Sequence, residues 1–253
     1  MRHSQLSDGR DRDGKDRFDR RAFCKTAGIA TVVGAVEASL GSVSVLAHAD
    51  FTKEQRDKMT AEEIIQQMKA GNERFRSGKS QHRDLMREVK ATAKGQYPAA
   101  IVFSCIDSRA SAELVFDFGI GDIFSGRVAG NVADEDILGS MEFACNVAGS
   151  KVVLVMGHTA CGAIKGAIDN VQLGNLTALL AKIRPAVEAT QYTGERSSKN
   201  YAFVDAVARK NVLLTITNIR EKSSVLRDLE SSGSIKIAGA MYNLETGMVE
   251  FIE

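Results

Sequence analysis

Two short apolar runs constrain the fold of this chain more than any other feature of its sequence. Residues 99–105 read Ala-Ala-Ile-Val-Phe-Ser-Cys, and residues 151–156 read Lys-Val-Val-Leu-Val-Met. Strands that are covered on both faces of a sheet have this nearly continuous apolar character. Helical patterns near 111–118 and 135–148 alternate with these runs and with a weaker strand at 123–128. The alternation predicts an α/β fold, a single domain with a mostly parallel central sheet flanked by helices.

The remaining elements follow from periodicity and from capping residues. Thr60-Ala-Glu-Glu63 has the pattern of a capping box, and the apolar residues that follow it at helical spacing predict a helix that packs on the outside of the sheet or on another subunit. Further helices are predicted near 84–94, 161–170, 175–190, 199–220 and 223–231. A last strand at 235–242 is predicted to turn through Glu245-Thr-Gly247 and pair with 248–252.

The first 49 residues have the pattern of an export signal. Residues 1–18 are densely charged and predicted to be disordered. Arg20-Arg21, a mildly apolar stretch at 26–46 and the small-x-small site Ala47-His48-Ala49 then predict a twin-arginine signal peptide that is cleaved after Ala49. We therefore expect an exported, periplasmic protein in which residues 1–49 are the signal and residues 50–253 are one domain.

Two other interpretations of this segment are weaker. The apolar stretch is long enough for a membrane anchor, but it contains Glu37 and several Gly and Ser residues, so no stable anchor is expected. A cytoplasmic protein with an unusual N-terminus is the third interpretation.

Charge and cysteine content exclude some classes of function. Of the 33 Lys and Arg residues 8 lie in the first 49, and of the 32 Asp and Glu residues 6 do, so residues 50–253 carry 25 and 26 and a net charge of −1. Nucleic-acid binding is therefore not expected. The three cysteines that remain after cleavage argue against a disulfide framework, and Cys145 is expected to be a small buried hydrophobe in a helix.

Two polar motifs directly follow the two apolar runs. Cys105-Ile-Asp-Ser-Arg109 closes the first, and His158-Thr-Ala-Cys161 follows the second. Parallel sheets place their chemistry at the carboxyl ends of their strands. Two thiolates and an imidazole suit a tetrahedral zinc ion whose fourth position stays open. A helix that starts at Cys161 would also favour its thiolate.

Asp107 and Arg109 lie just past the first strand. A carboxylate beside zinc serves either as a fourth ligand or as the acceptor of a hydrogen bond from bound water, and an adjacent arginine fixes it through a bidentate pair. The alternative is a structural ion pair beside a turn. The nearby Cys and His residues favour the functional interpretation.

These motifs, together with Gly162, resemble the β-class carbonic anhydrases. The likeness extends over most of residues 50–253, and the further segments that carry it are Asn72–Phe75, Arg127–Asn131, Gly139–Phe143 and Gly239–Gly247.

The resemblance implies a parallel-core α/β fold and an obligate homodimer or higher homo-oligomer whose substrate cleft is partly lined by the partner chain. It also implies reversible hydration of carbon dioxide to bicarbonate and a proton through zinc-bound hydroxide. One Zn²⁺ per chain would be held by Cys105, His158 and Cys161. Asp107 and Arg109 would be the catalytic dyad, with Asp107 as a possible fourth ligand in a closed state. Gly162 would offer a backbone N–H near the substrate.

Three other functions remain open at this point. A hydrolase of carbonyl sulfide or carbon disulfide would use the same site with a reshaped cleft. A non-catalytic zinc-binding protein would have no need of the Asp107–Arg109 dyad. A thiol redox protein would have to pair Cys105 with Cys161, because the chain contains no Cys-x-x-Cys motif.

Overall fold

The computed structural model describes residues 51–252 of the chain. They belong to one compact unit. The predicted signal at 1–49 and its cleavage site lie outside the described residues, so both stay predictions. No helix in the described part is long and apolar enough to cross a membrane.

The described strands form a single mixed sheet. They are β1 (Ala100–Ser104), β2 (Ile123–Arg127), β3 (Val152–His158), β4 (Lys236–Tyr242) and β5 (Val249–Ile252), in the spatial order β2-β1-β3-β4-β5. The first four run parallel, and β5 pairs with β4 in the antiparallel direction. The predicted α/β fold with its mostly parallel sheet is therefore confirmed. So is the closing turn, in which Gly247 has a φ of 70° that favours glycine.

Helices cover both faces of this sheet. They are α1 (Lys53–Lys58), α2 (Ala61–Arg76), α3 (Leu85–Thr92), α4 (Ala112–Val115), α5 (Glu135–Glu142), α6 (Gly162–Ile168), α7 (Gly174–Ala181), α8 (Arg184–Ala189), α9 (Tyr201–Lys222) and α10 (Ser224–Ser231). A 3-10 turn, Ala129–Asn131, follows β2, and a π-helical turn, Phe143–Val147, continues α5.

Two helix predictions differ from the structure. The helix predicted at 175–190 is two helices, α7 and α8, because Pro185 near the start of α8 has no N–H to continue the preceding helix. The helix predicted at 135–148 is α-helical only to Glu142 and then widens into the π-helical turn.

The two faces of the sheet bury separate apolar clusters. Side chains alternate along β1, so Ile101 and Phe103 belong to the cluster covered by α9, whereas Ala100 and Val102 belong to the cluster covered by α2. The strand β3 lies between the two clusters and is buried along its whole length. Burial on both faces explains why the two central strands have continuous apolar sequences.

The helix α2 packs on the sheet of its own chain. The sequence predicts that it packs either there or on another subunit. Thr60 and Glu63 form the expected capping box. The buried side chains of Ile64, Ile65 and Met68 contribute to the cluster on this face of the sheet. A Cβ atom at Gly71 would lie 1.8 Å from the carbonyl oxygen of Phe116, so glycine permits this close packing.

One buried amide joins α2 to two distant parts of the chain. The Nδ2 atom of Asn72 donates to the carbonyl oxygens of Val115, at 3.1 Å, and Gly247, at 2.8 Å. Its Oδ1 atom accepts from the N–H of Val249 at 2.9 Å. Asn72 therefore fixes both the end of α4 and the turn that leads into β5.

We predict that Asn72→Ala lowers the free energy of unfolding by about 3 kcal/mol, because it leaves three backbone groups without their partner in a buried setting. Guanidinium unfolding at one fixed protein concentration measures the change. Gln66→Ala, at an exposed position of the same helix, is the control and should cost only a few tenths of a kcal/mol. Equal losses for the two variants would contradict the account.

Candidate metal centre

The ends of β1 and β3 and the start of α6 bring three ligand side chains together. Cys105 follows the last residue of β1, His158 is the last residue of β3, and Cys161 is the N-cap of α6. All three residues are at least 96 % buried. Their two sulfur atoms and an imidazole nitrogen lie within 4.8 Å of one another. The structure thus brings together the three residues that the sequence predicts as ligands.

The spacing of these atoms fits a tetrahedral zinc ion. The two sulfur atoms are 3.9 Å apart, and tetrahedral bonds to zinc of the usual length would place them about 3.8 Å apart. The Nδ1 atom of His158 lies 2.9 Å from the carbonyl oxygen of Thr159, which assigns the proton to Nδ1 and leaves a lone pair on Nε2. That Nε2 atom is buried and has no conventional hydrogen-bond partner among the described residues. A metal ion is the partner that this arrangement fits.

The two neighbouring thiols shift each other's pKa. The hydrogen bond from Cys161 lowers the pKa of Cys105, and the N–H of Gly130, 3.3 Å from the Cys105 sulfur, acts in the same direction. The same contact with Cys105, together with burial, raises the pKa of Cys161. The N–H groups of Ala163 and Ile164 in α6 oppose that rise, as expected for a thiol at the start of a helix. Their effect on the pKa of Cys161 is smaller than that of the neighbouring Cys105. Zinc binding would displace the remaining proton.

A fixed carboxylate lies beside the three ligands. Arg109 donates from Nε and Nη2 to the two carboxylate oxygens of Asp107, at 2.9 and 2.8 Å, and its backbone N–H donates to Oδ1 at 3.0 Å. These bonds hold the pKa of the Asp107 carboxyl well below its usual range. Its Oδ2 atom is 3.9 Å from Nε2 of His158. Asp107 and Arg109 therefore form an ion pair beside the ligand group, with the carboxylate charged at neutral pH.

Sequence reasoning missed the arginine that holds the loop after β1. Arg127, the last residue of β2, donates from Nε to the carbonyl oxygen of Cys105 at 3.0 Å and from Nη2 to that of Asp107. One planar guanidinium thus binds the backbone on both sides of Ile106 and fixes the spacing of ligand and carboxylate. Its position at the end of a neighbouring parallel strand was the available signal.

Sequence reasoning also missed the residue that holds the turn between His158 and Cys161. Ala160 has a φ of 55°, and its N–H donates to Oδ1 of Asp205, on α9, at 2.8 Å. Burial raises the pKa of Asp205, and the Ala160 N–H and the charge of Lys165 counteract that rise. No local pattern connects residues 45 positions apart, so the sequence alone could not identify this contact.

The other two candidates lie where their sequence context suggests. Gly162 is the exposed first residue of α6, and nothing lies within 4 Å of the place where a Cβ atom would be. Cys145 is buried in the π-helical turn, and burial raises its pKa to about 12. Cys145 is not part of the ligand group found among the described residues.

Comparison with known proteins agrees with this geometry. The family model for carbonic anhydrase matches residues 100–249. Carbonic anhydrase 2 of Mycobacterium tuberculosis is 35 % identical over 186 residues, which cover 71 % of this chain and 87 % of that protein. The crystal structure of the β-carbonic anhydrase CafA of Aspergillus fumigatus has a TM-score of 0.58 at 25 % identity and covers 73 % of this chain and 88 % of its own.

A further structure shares the fold. It is one of two tetrameric β-carbonic anhydrases of Sordaria macrospora, with a TM-score of 0.57 at 20 % identity over 66 % of this chain and 90 % of that one. The chain belongs to the carbonic anhydrase family and to its β class, as its motifs predict. Members of this class use zinc, and Cys105, His158 and Cys161 form the group in the described part of the chain that could bind it.

We predict that Arg127→Lys lowers the kcat/KM of the carbonic anhydrase reaction by about 10- to 100-fold while zinc stays bound, because a single ammonium group does not reproduce the bridge between two carbonyl oxygens. Stopped-flow kinetics and zinc quantification on the same samples measure both quantities. Arg227→Lys, an exposed arginine on α10, is the matched control. Equal activity of the two variants would contradict the assigned role of Arg127.

Proposed function

We propose that the chain catalyses the reversible hydration of carbon dioxide to bicarbonate and a proton, with one zinc ion per chain held by Cys105, His158 and Cys161. The observation that carries the proposal is the convergence of three ligand atoms beside a carboxylate whose two oxygens are bound by an arginine. When bound, zinc lowers the pKa of a coordinated water, in favourable sites to about 7 and somewhat less far beside two thiolates, and so supplies a nucleophile.

Asp107 is proposed to orient the attacking oxygen. Arg109 keeps the carboxylate ionised, so Asp107 accepts hydrogen bonds and donates none. A hydrogen bond from the attacking oxygen to the Asp107 carboxylate would direct a lone pair of that oxygen toward carbon dioxide. Arg127 contributes by holding the backbone of this loop, and Arg109 by fixing the plane of the carboxylate.

The arrangement favours an open site over a closed one. Both oxygens of Asp107 are engaged by Arg109, and coordination of the metal by Asp107 would require one of them to leave that pair. We therefore propose that Asp107 stays paired with Arg109 in the active protein and that the fourth position remains available. The N–H of Gly162, an exposed residue at the first position of α6, is proposed to donate to an oxygen of the substrate.

Substitution of Asp107 tests the function directly. Asp107→Ala should keep about one zinc per chain and lower carbon dioxide hydration by about 10²- to 10⁴-fold, the usual range for a positioned acid–base group. Stopped-flow hydration and zinc quantification on the purified protein measure the effect, and Asp169→Asn, an exposed acid at the end of α6, is the control.

Two results would overturn this assignment. Full activity of Asp107→Ala would remove the dyad from the mechanism. A wild-type protein that is loaded with zinc but does not hydrate carbon dioxide would favour hydrolysis of carbonyl sulfide or carbon disulfide, or a non-catalytic zinc-binding role, and a panel of these substrates separates the two.

We further propose that the protein forms a homodimer or higher homo-oligomer. The support is the outer edge of the sheet, where β2 has a strand neighbour only on the side of β1. A groove of about 730 Å³ runs along this edge and is lined by Phe124, Arg127 and Phe143 among others. Phe143 and Val147 are 53 % and 70 % exposed, and a strand edge without a neighbour beside exposed apolar residues is a template for a second copy.

Export to the periplasm is proposed from the predicted twin-arginine signal. Cleavage after Ala49 would leave every described element intact, including Phe51, whose ring packs 6.3 Å from that of Phe118, and Thr52, which caps α1. A two-thiolate site would also be loaded with metal in the cytoplasm before the folded protein crossed the membrane.

Replacement of both Arg20 and Arg21 by Lys should retain the protein in the cytoplasm of a Gram-negative host, with residues 1–49 still attached. The wild-type chain should appear in the periplasmic fraction with the intact mass of a protein that begins at Asp50. Cell fractionation and mass spectrometry measure both. Wild-type protein of full length in the membrane fraction would instead indicate an anchor.

A further inference from the structure

One peptide group between two of the ligands makes hydrogen bonds at both of its ends. The carbonyl oxygen of Thr159 accepts from Nδ1 of His158 at 2.9 Å. The N–H of Ala160, which belongs to the same peptide group, donates to Oδ1 of Asp205 at 2.8 Å. A carboxylate, a peptide group and an imidazole therefore form one continuous chain of hydrogen bonds that ends at a ligand.

The turn that contains this peptide group is not a relaxed conformation. Ala160 has a φ of 55°, in the left-handed region that disfavours residues with a Cβ atom. Such a conformation persists only when its surroundings hold it. Two contacts also fix Thr159: its N–H donates to the carbonyl oxygen of Tyr242, and its hydroxyl accepts from the N–H of Leu244. At Ala160 itself, the hydrogen bond to Asp205 holds the left-handed conformation.

The position of Asp205 is itself well determined. It lies in the second turn of α9, and Phe203, Val204 and Val207 on either side of it are fully buried in the core. The helix thus presents the carboxylate from a rigid element that carries none of the three ligands.

We propose that Asp205 is a positioning residue for the zinc ion, and that it acts through the Thr159–Ala160 peptide group on both His158 and Cys161. Its bond to the N–H holds the left-handed turn that sets the distance from His158 to Cys161. The same bond polarises the peptide group, so the carbonyl oxygen of Thr159 becomes a stronger acceptor for the imidazole and fixes the orientation of its ring. The inference rests on the proposed function, because it concerns the same metal site.

The test compares the zinc affinity of variants at positions 205 and 160. A competing chromophoric chelator measures the dissociation constant, and the visible absorption bands of the Co²⁺-substituted protein report the geometry of the ligands. Asp205→Ala should weaken zinc binding by about 100-fold, and Asp205→Asn, which keeps a neutral acceptor, by about 10-fold. Both should shift the cobalt bands. Glu221→Ala is the matched control, an exposed acid about 24 Å further along α9 that should change neither readout.

Ala160→Gly provides a rescue. Glycine adopts the left-handed conformation without a steric penalty, so Ala160→Gly should recover part of the zinc affinity that Asp205→Ala loses. A role of Asp205 in general stability alone would give no such recovery and no change in the cobalt bands.

The outcomes are separable. A wild-type protein that binds no zinc overturns the proposed function itself. If the wild type binds zinc, and Asp205→Ala has the same zinc affinity and the same cobalt bands as the wild type, only the role of Asp205 is overturned. If Asp205→Ala does not fold, the zinc affinity and the cobalt bands are measured on Asp205→Asn instead. Values equal to those of the wild type would overturn the inference.

Discussion

The parallel pairing of β1 with β3 determines where the ligands lie. Ser104 is aligned with Met156, so both strands end at one edge of the sheet, and Cys105 and His158 leave it close together. The register of β1 is fixed by packing, because a slip by one residue would exchange its large side chains, Ile101 and Phe103, with its smaller ones, Ala100 and Val102, between the two buried faces. The core on either side of the sheet and the geometry of the metal site are therefore consequences of one alignment.

Beyond the strand ends, charged side chains hold the backbone. Arg127 binds the carbonyl oxygens of the loop that carries Cys105 and Asp107, and Asp205 binds an N–H of the turn that links His158 to Cys161. Each charged group comes from an element that carries no ligand. The apolar layers thus set the approximate position of the site, and hydrogen bonds from neighbouring elements set the finer spacing that a tetrahedral ion requires.

The sequence predicts those features that depend on local patterns. The buried strands, the capping box at Thr60 and the Asp107–Arg109 pair each involve residues within a few positions of one another, and each is present in the structure. The convergence of the three candidate ligands was predictable because both motifs follow strands of a parallel sheet. The exact contacts of Arg127 and Asp205 were not, because they bind backbone groups 20 to 45 positions away; the end of a parallel strand marks Arg127 as a neighbour of the site, and no local pattern marks Asp205. The break at Pro185 has a local cause that could have been recognised in the sequence.

Cys105, His158 and Cys161 are proposed to hold one zinc ion while Asp107 remains bound to Arg109. The most direct measurement is a crystal structure of the zinc-loaded protein, with anomalous diffraction recorded on both sides of the zinc absorption edge. We expect one anomalous peak per chain, bonded to the two sulfur atoms and to Nε2 of His158, with both carboxylate oxygens of Asp107 hydrogen-bonded to the guanidinium of Arg109. A peak elsewhere in the chain, or a carboxylate oxygen of Asp107 at about 2.1 Å from the ion, would contradict it.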